Sequence, residues 1–98
     1  MQSAKPYHDS LIKALKDPRE AAEYINAAIE EDDLETLLLA LRDVAEAQGM
    51  SAISRRTKLN RVSLYKMLSR RGNPHFQSVV HLLDAAGLKL TVGVRAAA

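Results

Sequence analysis

The sequence predicts a mainly α-helical fold: a compact helical bundle that contains a helix-turn-helix and one C-terminal β-strand. Three observations support this prediction. The chain has 98 residues, enough for one small core and too few for two, so residues 1–98 are expected to form a single domain. Apolar side chains recur at helical spacing through most of the chain, and only residues 88–95 alternate with the period of a strand. The hydrophobic fraction of 47% and the charged fraction of 27% are typical of a folded chain.

The first half of the chain, residues 1–49, is predicted to form three helices. Helical spacing of apolar residues places them over 9–16, over 18–31 and from 34 up to Gly49, a residue type suited to the end of a helix. Asp17 is placed as the N-cap of the second helix. The apolar stripe of the second helix consists of Ala21, Ala22, Ile25, Ala28 and Ile29. The stripe of the third consists of Leu34, Leu37, Leu38, Leu41, Val44 and Ala45.

The second half, residues 50–87, is predicted to form the helix-turn-helix and one further helix. Two short helices, over 51–57 and 61–70, are separated by a three-residue turn. The triplet Gly72-Asn73-Pro74 interrupts the chain, and a further helix follows that Gly87 ends. The inward side of that helix is expected to comprise Phe76, Val79, Val80, Leu83 and Ala86.

The second short helix carries cations in a pattern that fits the major groove of DNA. In paired helices of this kind, the N-terminal part of the second helix meets the base edges. Arg61 would donate two hydrogen bonds to guanine O6 and N7, Val62 would contact a thymine methyl group, and Lys66 would reach a base or a phosphate. The alternative is an ordinary solvated cationic face on a helical bundle. The flanking cations are expected to anchor phosphates: Arg55, Arg56, Lys58, Arg70 and Arg71.

Charge is strongly polarised along the chain. Residues 1–50 hold five cationic and eleven acidic side chains, whereas residues 51–98 hold nine cationic side chains and one acid, Asp84. The two halves therefore have formal net charges of −6 and +8 within a total of +2. A domain polarised in this way offers its basic half to a polyanion and its acidic half to a basic partner. The alternative is two solvated faces that differ only in composition.

Residues 88–95 form the predicted C-terminal β-strand, because Leu88, Leu90, Val92 and Val94 alternate with polar or small residues. A lone strand leaves its backbone donors and acceptors unpaired, so a pairing partner is required. A second copy of the strand across a two-fold axis would satisfy both copies and bury the apolar side chains, which predicts a homodimer. The alternative is that the strand extends the sheet of a partner protein.

Several protein classes are disfavoured. The chain has no cysteine for a disulfide or thiol chemistry, and no apolar stretch is long enough to cross a membrane. Its first residues carry charges that leave no room for a signal peptide, so a cytoplasmic protein is expected. His8, His75 and His81 are the side chains that ordinarily titrate near neutral pH. His75 and His81 lie six positions apart and would point to different faces of a helix, so they make a poor metal pair. Because no catalytic motif occurs, we expect no enzyme activity, cofactor or metal.

Runs of residues through most of the chain resemble a known family. The run 53–69 resembles the helix-turn-helix of Cro and phage-repressor-type regulators. Joined to the end of that run, the continuation at 72–76 and 82–90 resembles the probable addiction-module antidote family. Those proteins are antitoxins of type II toxin–antitoxin pairs, related to the HigA-like group. The runs 24–28 and 37–45 also resemble that family, so the likeness covers nearly the whole chain.

The resemblance implies both DNA binding and toxin neutralisation. It assigns base reading to the three residues of the second helix named above and places Asn60 and Ser63 nearer the phosphates; Tyr65, on the same outward face, is grouped with them. It also implies repression of the protein's own operon and neutralisation of a small basic toxin of the RelE/ParE type. The acidic residues that form the candidate toxin-binding surface have an equally weighted reading as a solvated loop with a helix cap. They are Glu30, Glu31, Asp32, Asp33 and Glu35.

Two positions depart from the usual pattern of the family. Ser54 occupies a small buried position that favours alanine, and Lys58 occupies a turn position that favours glycine. A non-glycine residue at positive φ costs about 1 kcal/mol, which a folded domain tolerates. Two other functions stay open: a stand-alone helix-turn-helix repressor without a toxin partner, and an interaction module that has lost DNA binding. Arg61→Ala combined with Lys66→Ala would abolish operator recognition in every case except the last.

Overall fold

The computed structural model describes residues 4–96, and the parts of the predicted domain at 1–3 and 97–98 lie outside them. The described chain is a mainly helical compact globule, with a Cα radius of gyration of 13.6 Å. Its six helices are α1 (Ala4–Ala14), α2 (Pro18–Glu30), α3 (Leu34–Gln48), α4 (Met50–Thr57), α5 (Arg61–Met67) and α6 (Phe76–Ala85).

Helices α2 and α3 begin and end close to the predicted positions because local capping chemistry determines their ends. The carboxylate of Asp17 accepts a hydrogen bond from the backbone N–H of Arg19 at 2.9 Å, and Pro18 occupies the first turn of α2. Gly49 ends α3 with a φ of 92°, a conformation that side chains other than glycine rarely adopt. The predictions for Asp17 and Gly49 are confirmed.

Helix α1 lies earlier in the chain than predicted, because it begins at Ala4 rather than Asp9 and ends at Ala14 rather than Lys16. Pro6 does not prevent this early start. The first four N–H groups of a helix have no partner within it, so a proline in the first turn removes no hydrogen bond. At the other end, the backbone N–H of Lys16 bonds to the carbonyl of Lys13, a tightening turn that ends the helix.

Helix α3 lies at the centre of the bundle and supplies more buried apolar residues than any other helix. α1, α2 and α4 pack against α3, and α4 also packs against α5 and α6. Burial of apolar side chains between the helices is the main force that holds them together, since isolated helices of this length are marginal in water. The largest fully buried side chains are Leu15, Leu38, Ile53, Leu64, Leu68 and Leu82.

Helix α5 ends at Met67, three residues before the predicted end at Arg70. The chain folds back on the end of this helix through a hydrogen bond from the backbone N–H of Gly72 to the carbonyl of Ser69, at 2.8 Å. A Cβ atom at Gly72 would lie only 2.2 Å from the carbonyl oxygen of Met67. Glycine is therefore required where the backbone approaches the end of α5 so closely.

Three apolar residues predicted to face inward are exposed: Ile29, Leu34 and Phe76. The prediction for these positions is wrong for the single chain. They lie at the last turn of α2, the first residue of α3 and the first residue of α6, where the neighbouring helices no longer cover the apolar stripe. Phe76 is 71% exposed, although Leu83 and Ala86, further along the same stripe, are buried.

The predicted C-terminal β-strand at 88–95 is also not formed within the single chain. Leu88 is half-buried and packs on the core, whereas Leu90, Val92 and Val94 are exposed. A strand is stabilised by hydrogen bonds to a neighbouring strand, and residues 4–96 contain no strand that could pair with it. The alternation therefore indicates an apolar face that the chain leaves without a pairing partner.

Candidate nucleic-acid interface

Helices α4 and α5 are joined by a turn whose backbone matches the expectation for this position. Lys58 adopts the left-handed conformation, with a φ of 62° and a ψ of 21°, where a glycine is usual. The hydroxyl of Ser54 donates to the carbonyl of Leu59 at 2.5 Å, and the hydroxyl of Thr57 accepts from the backbone N–H of Leu59 at 3.3 Å. Ser54 therefore ties the turn to α4, a contact that alanine would lack.

The orientation of α5 is set by its buried side and its N-cap. Ile53 of α4 and Leu64 of α5 are completely buried, and Leu68 after α5 is nearly so. The side chain of Asn60 accepts a hydrogen bond from the backbone N–H of Ser63 at 2.7 Å, which caps the helix as predicted. The carbonyl oxygen of the Asn60 side chain is thus engaged in the fold itself.

The residues of α5 that the sequence assigns to base reading are all exposed. Arg61 and Val62 lie in the first turn of α5, and Lys66 lies one turn later on the exposed surface. Val62 is 71% exposed, which is a high value for a large apolar side chain. The exposed surface of α5 therefore includes two cations and one apolar group, which are side-chain types that can contact base edges in a major groove.

Besides Asn60, three of the predicted backbone contacts are already engaged within the chain. A guanidinium nitrogen of Arg56 donates to the carbonyl of Ala85 at 2.8 Å, near the end of α6 where a carbonyl lacks a helical partner. Arg70 forms an ion pair with Glu35. The ring of Tyr65 lies under a guanidinium, with the Cζ atom of Arg42 5.5 Å from its centroid. The other assigned cations, Arg55, Lys58 and Arg71, are exposed.

The candidate acidic surface is exposed from residue 30 to residue 35. Asp32 has a φ of 54°, so the loop between α2 and α3 turns sharply there. Asp33 occupies the N-cap position of α3, and its carboxylate accepts from the hydroxyl of Thr36 at 2.7 Å. Glu35 pairs with Arg70, which brings a predicted toxin contact and a predicted DNA contact together. Sequence reasoning missed this pair because 35 positions separate its members.

A buried polar pair links α2 to α3, and sequence reasoning missed it as well. Asp43 is only 4% exposed, and the hydroxyl of Tyr24 donates to its Oδ2 atom at 2.7 Å. Burial raises the pKa of the Asp43 carboxyl, an effect that the hydrogen bond from Tyr24 partly offsets. Burial and the Asp43 carboxylate also raise the pKa of the Tyr24 phenol, which keeps the donor protonated. The sequence signal for the burial of Asp43 lies in Ala40 and Ala47, which are one turn away on either side of it and are themselves buried.

The described residues, 4–96, contain neither a metal-binding cluster nor a membrane-spanning helix. No group of three or more metal-ligating side chains occurs among these residues. No helix within them is both long and apolar enough to span a bilayer.

Family comparison identifies the chain. Residues 7–94 match the family described as "Probable addiction module antidote protein". The chain belongs to this family. A protein of Haemophilus influenzae, described as uncharacterized, is 42% identical over 69 residues, which make up 70% of this chain and 71% of the relative. No solved structure matches the chain.

The family match confirms the resemblance to the addiction-module antidote family. It extends through all of α2 to α6 and includes the acidic loop, the α4–α5 pair and the apolar segment after α6. The description of the family supports a toxin partner and a regulatory rather than an enzymatic role. It names no DNA site, no oligomeric state and no contact residue.

Proposed function

We propose that this antidote-family protein is a DNA-binding antitoxin that represses its own operon and neutralises a small basic toxin of the RelE/ParE type. The observation that carries the DNA-binding part is the exposure of Arg61, Val62 and Lys66 on α5, a helix that is fixed to the core by the buried Leu64. The family description supports the antidote part.

In this proposal α5 enters the major groove and the surrounding cations contact phosphates. Arg61 and Val62 read bases because they lie in the first turn of the helix, and Lys66 reads a base or contacts a phosphate. Arg55, Lys58 and Arg71 surround the exposed surface of α5 with positive charge. Further polar contacts to the DNA backbone come from Asn60 and Ser63 at the start of α5 and from Tyr65. Arg56 and Arg70 join them only by leaving the internal partners described above.

The DNA-binding part is tested by comparing two charge-matched variants. Arg61→Ala with Lys66→Ala removes two cations from the exposed surface of α5, while Lys13→Ala with Lys16→Ala removes two cations near the end of α1. Fluorescence anisotropy with the protein's own promoter fragment, at several salt concentrations, measures the affinity. We expect the first variant to lose specific binding and the second to bind as the wild type does. Unchanged affinity of the α5 variant would refute the assignment.

The toxin is proposed to bind the acidic surface formed by residues 30–35, because several exposed, negatively charged carboxylates lie together there and attract a basic partner. Glu30→Gln with Glu31→Gln is expected to slow association with the toxin. Glu20→Gln with Glu23→Gln, which removes the same charge from exposed positions on α2, is the matched control. Equal association rates for both variants would contradict this surface.

Two copies are proposed to form a homodimer through pairing of residues 88–95. Pairing satisfies the backbone groups of both segments and buries the apolar face that a single chain leaves exposed. A dimer also presents two α5 helices to DNA half-sites about 34–36 Å apart, as helix-turn-helix dimers do.

A further inference from the structure

An apolar groove runs between α2, α3 and α6, and the segment after α6 forms one of its walls. Its volume is about 650 Å³. Ile29 of α2, Leu34 of α3, Phe76 of α6 and Leu90 of the following segment line it, and all four side chains are exposed. The groove therefore brings together the residues whose helical or strand pattern predicts burial and which the single chain leaves uncovered.

The segment after α6 extends the apolar surface beyond the groove. Leu90 lines the groove, whereas Val92 is 95% exposed and Val94 is fully exposed. In extended backbone these alternate residues lie on one face. Among the described residues, none from 89 to 96 forms a backbone hydrogen bond. The segment thus combines a one-sided apolar face with backbone groups that are available for pairing.

We propose that the apolar groove receives the C-terminal segment of a second copy, paired antiparallel to the segment that forms the groove's own wall. Registers that pair even-numbered with even-numbered residues keep the apolar side chains of both segments on one side. Leu88 and Leu90, which belong to that side, line the groove together with Lys89 and Thr91. This inference rests on the homodimer proposed above. It adds that Val92 and Val94 of the second copy cover the apolar groove of the first.

The charges at the end of the groove favour a second copy as the occupant. Four acidic residues, 30–33, lie between Ile29 and Leu34 in the sequence, and Ile29 and Leu34 both line the groove. The incoming segment, 88–95, carries Lys89 and Arg95 and no acidic residue. The groove is apolar with an acidic end, and the segment is apolar with two cations. The two are therefore complementary in apolar character and in charge.

The inference is tested with two leucines of the same helix. Leu34 is 59% exposed and lines the groove, and Leu39 is 55% exposed and lies outside it. Leu34→Gln and Leu39→Gln make the same change of chemistry on α3, and neither removes a buried side chain. Sedimentation equilibrium from micromolar to millimolar protein measures the dimer dissociation constant of each full-length variant, and circular dichroism verifies that each is folded.

We expect Leu34→Gln to weaken dimerisation at least about tenfold, because each dimer buries two copies of the residue. Leu39→Gln should change the constant by less than about twofold. A third variant, Val92→Gln, separates the groove from the dimer itself. If Val92→Gln dissociates the dimer and Leu34→Gln does not, the groove assignment is wrong and the strand-paired dimer stands. A wild-type chain that stays monomeric throughout would overturn both, and a dimer weakened equally by Leu39→Gln would overturn the groove.

Discussion

The hydrogen bond between Tyr24 and Asp43 predicts a large stability loss from the removal of one oxygen atom. Tyr24→Phe keeps the ring and deletes the hydroxyl that lies 2.7 Å from Asp43 Oδ2. Because Asp43 is only 4% exposed, water cannot fully replace the lost donor. A buried acceptor without its partner costs about 1–3 kcal/mol. We therefore expect the free energy of unfolding to fall by about 2 kcal/mol, and Tm by about 10 °C for a domain of this size.

Urea denaturation followed by circular dichroism measures this loss, and Tyr7→Phe is the matched control. Tyr7 is exposed on α1, so the loss of its hydroxyl should change the free energy of unfolding by less than about 0.5 kcal/mol. If Tyr24→Phe changes stability as little as Tyr7→Phe does, the buried pair does not hold α2 against α3 and the reasoning is refuted.

The same pair predicts a pH dependence with a definite sign. Burial raises the folded-state pKa of Asp43 above its ordinary value of 3.8. The stability that a raised pKa contributes is fully present below the unfolded pKa and is lost as pH rises through the folded pKa. Asp43→Asn keeps an acceptor for Tyr24 without this titration. The free energy of unfolding of Asp43→Asn, relative to wild type, should therefore increase from about pH 4 towards neutral pH. A relative stability that falls over this range would contradict the assignment.

Three further substitutions give direct tests of the fold. Lys58→Gly should raise the free energy of unfolding by up to about 1 kcal/mol, since it relieves a non-glycine residue at a φ of 62°; a loss of stability would argue against this turn. Gly72→Ala should destabilise the chain because a Cβ there meets the backbone of α5, whereas Gly93→Ala, which meets no atom within 4 Å, should not. Glu35→Gln, which breaks the ion pair with Arg70, should cost less than about 1 kcal/mol in denaturation because both side chains are exposed.

Much of the helical architecture is predictable because its signals are local. Asp17 and Gly49 mark helix ends through capping and backbone conformation, which depend on adjacent residues. The turn at Lys58 follows from the family resemblance and has the expected positive φ. Val44 and Leu83, by contrast with the exposed ends of the same stripes, are buried as their helical spacing predicts.

The rest depends on tertiary contacts that local pattern does not encode. Periodicity identifies Leu34 and Phe76 as part of an apolar face, but it does not say what covers that face, and in the single chain nothing does. Arg56 meets the carbonyl of Ala85 across 29 positions, so its role in the fold is invisible from sequence spacing. The burial of Asp43 likewise follows from how α2 lies on α3.

The central claim is that this antidote-family protein neutralises a toxin as well as binding DNA, and one purification tests it most directly. The tagged chain is recovered from its native host at moderate salt, and mass spectrometry identifies what co-purifies. The account predicts a small basic protein, encoded beside this chain, at near-stoichiometric amount. Recovery of the chain alone, still able to shift its own promoter fragment, would contradict the antitoxin role and leave a stand-alone repressor.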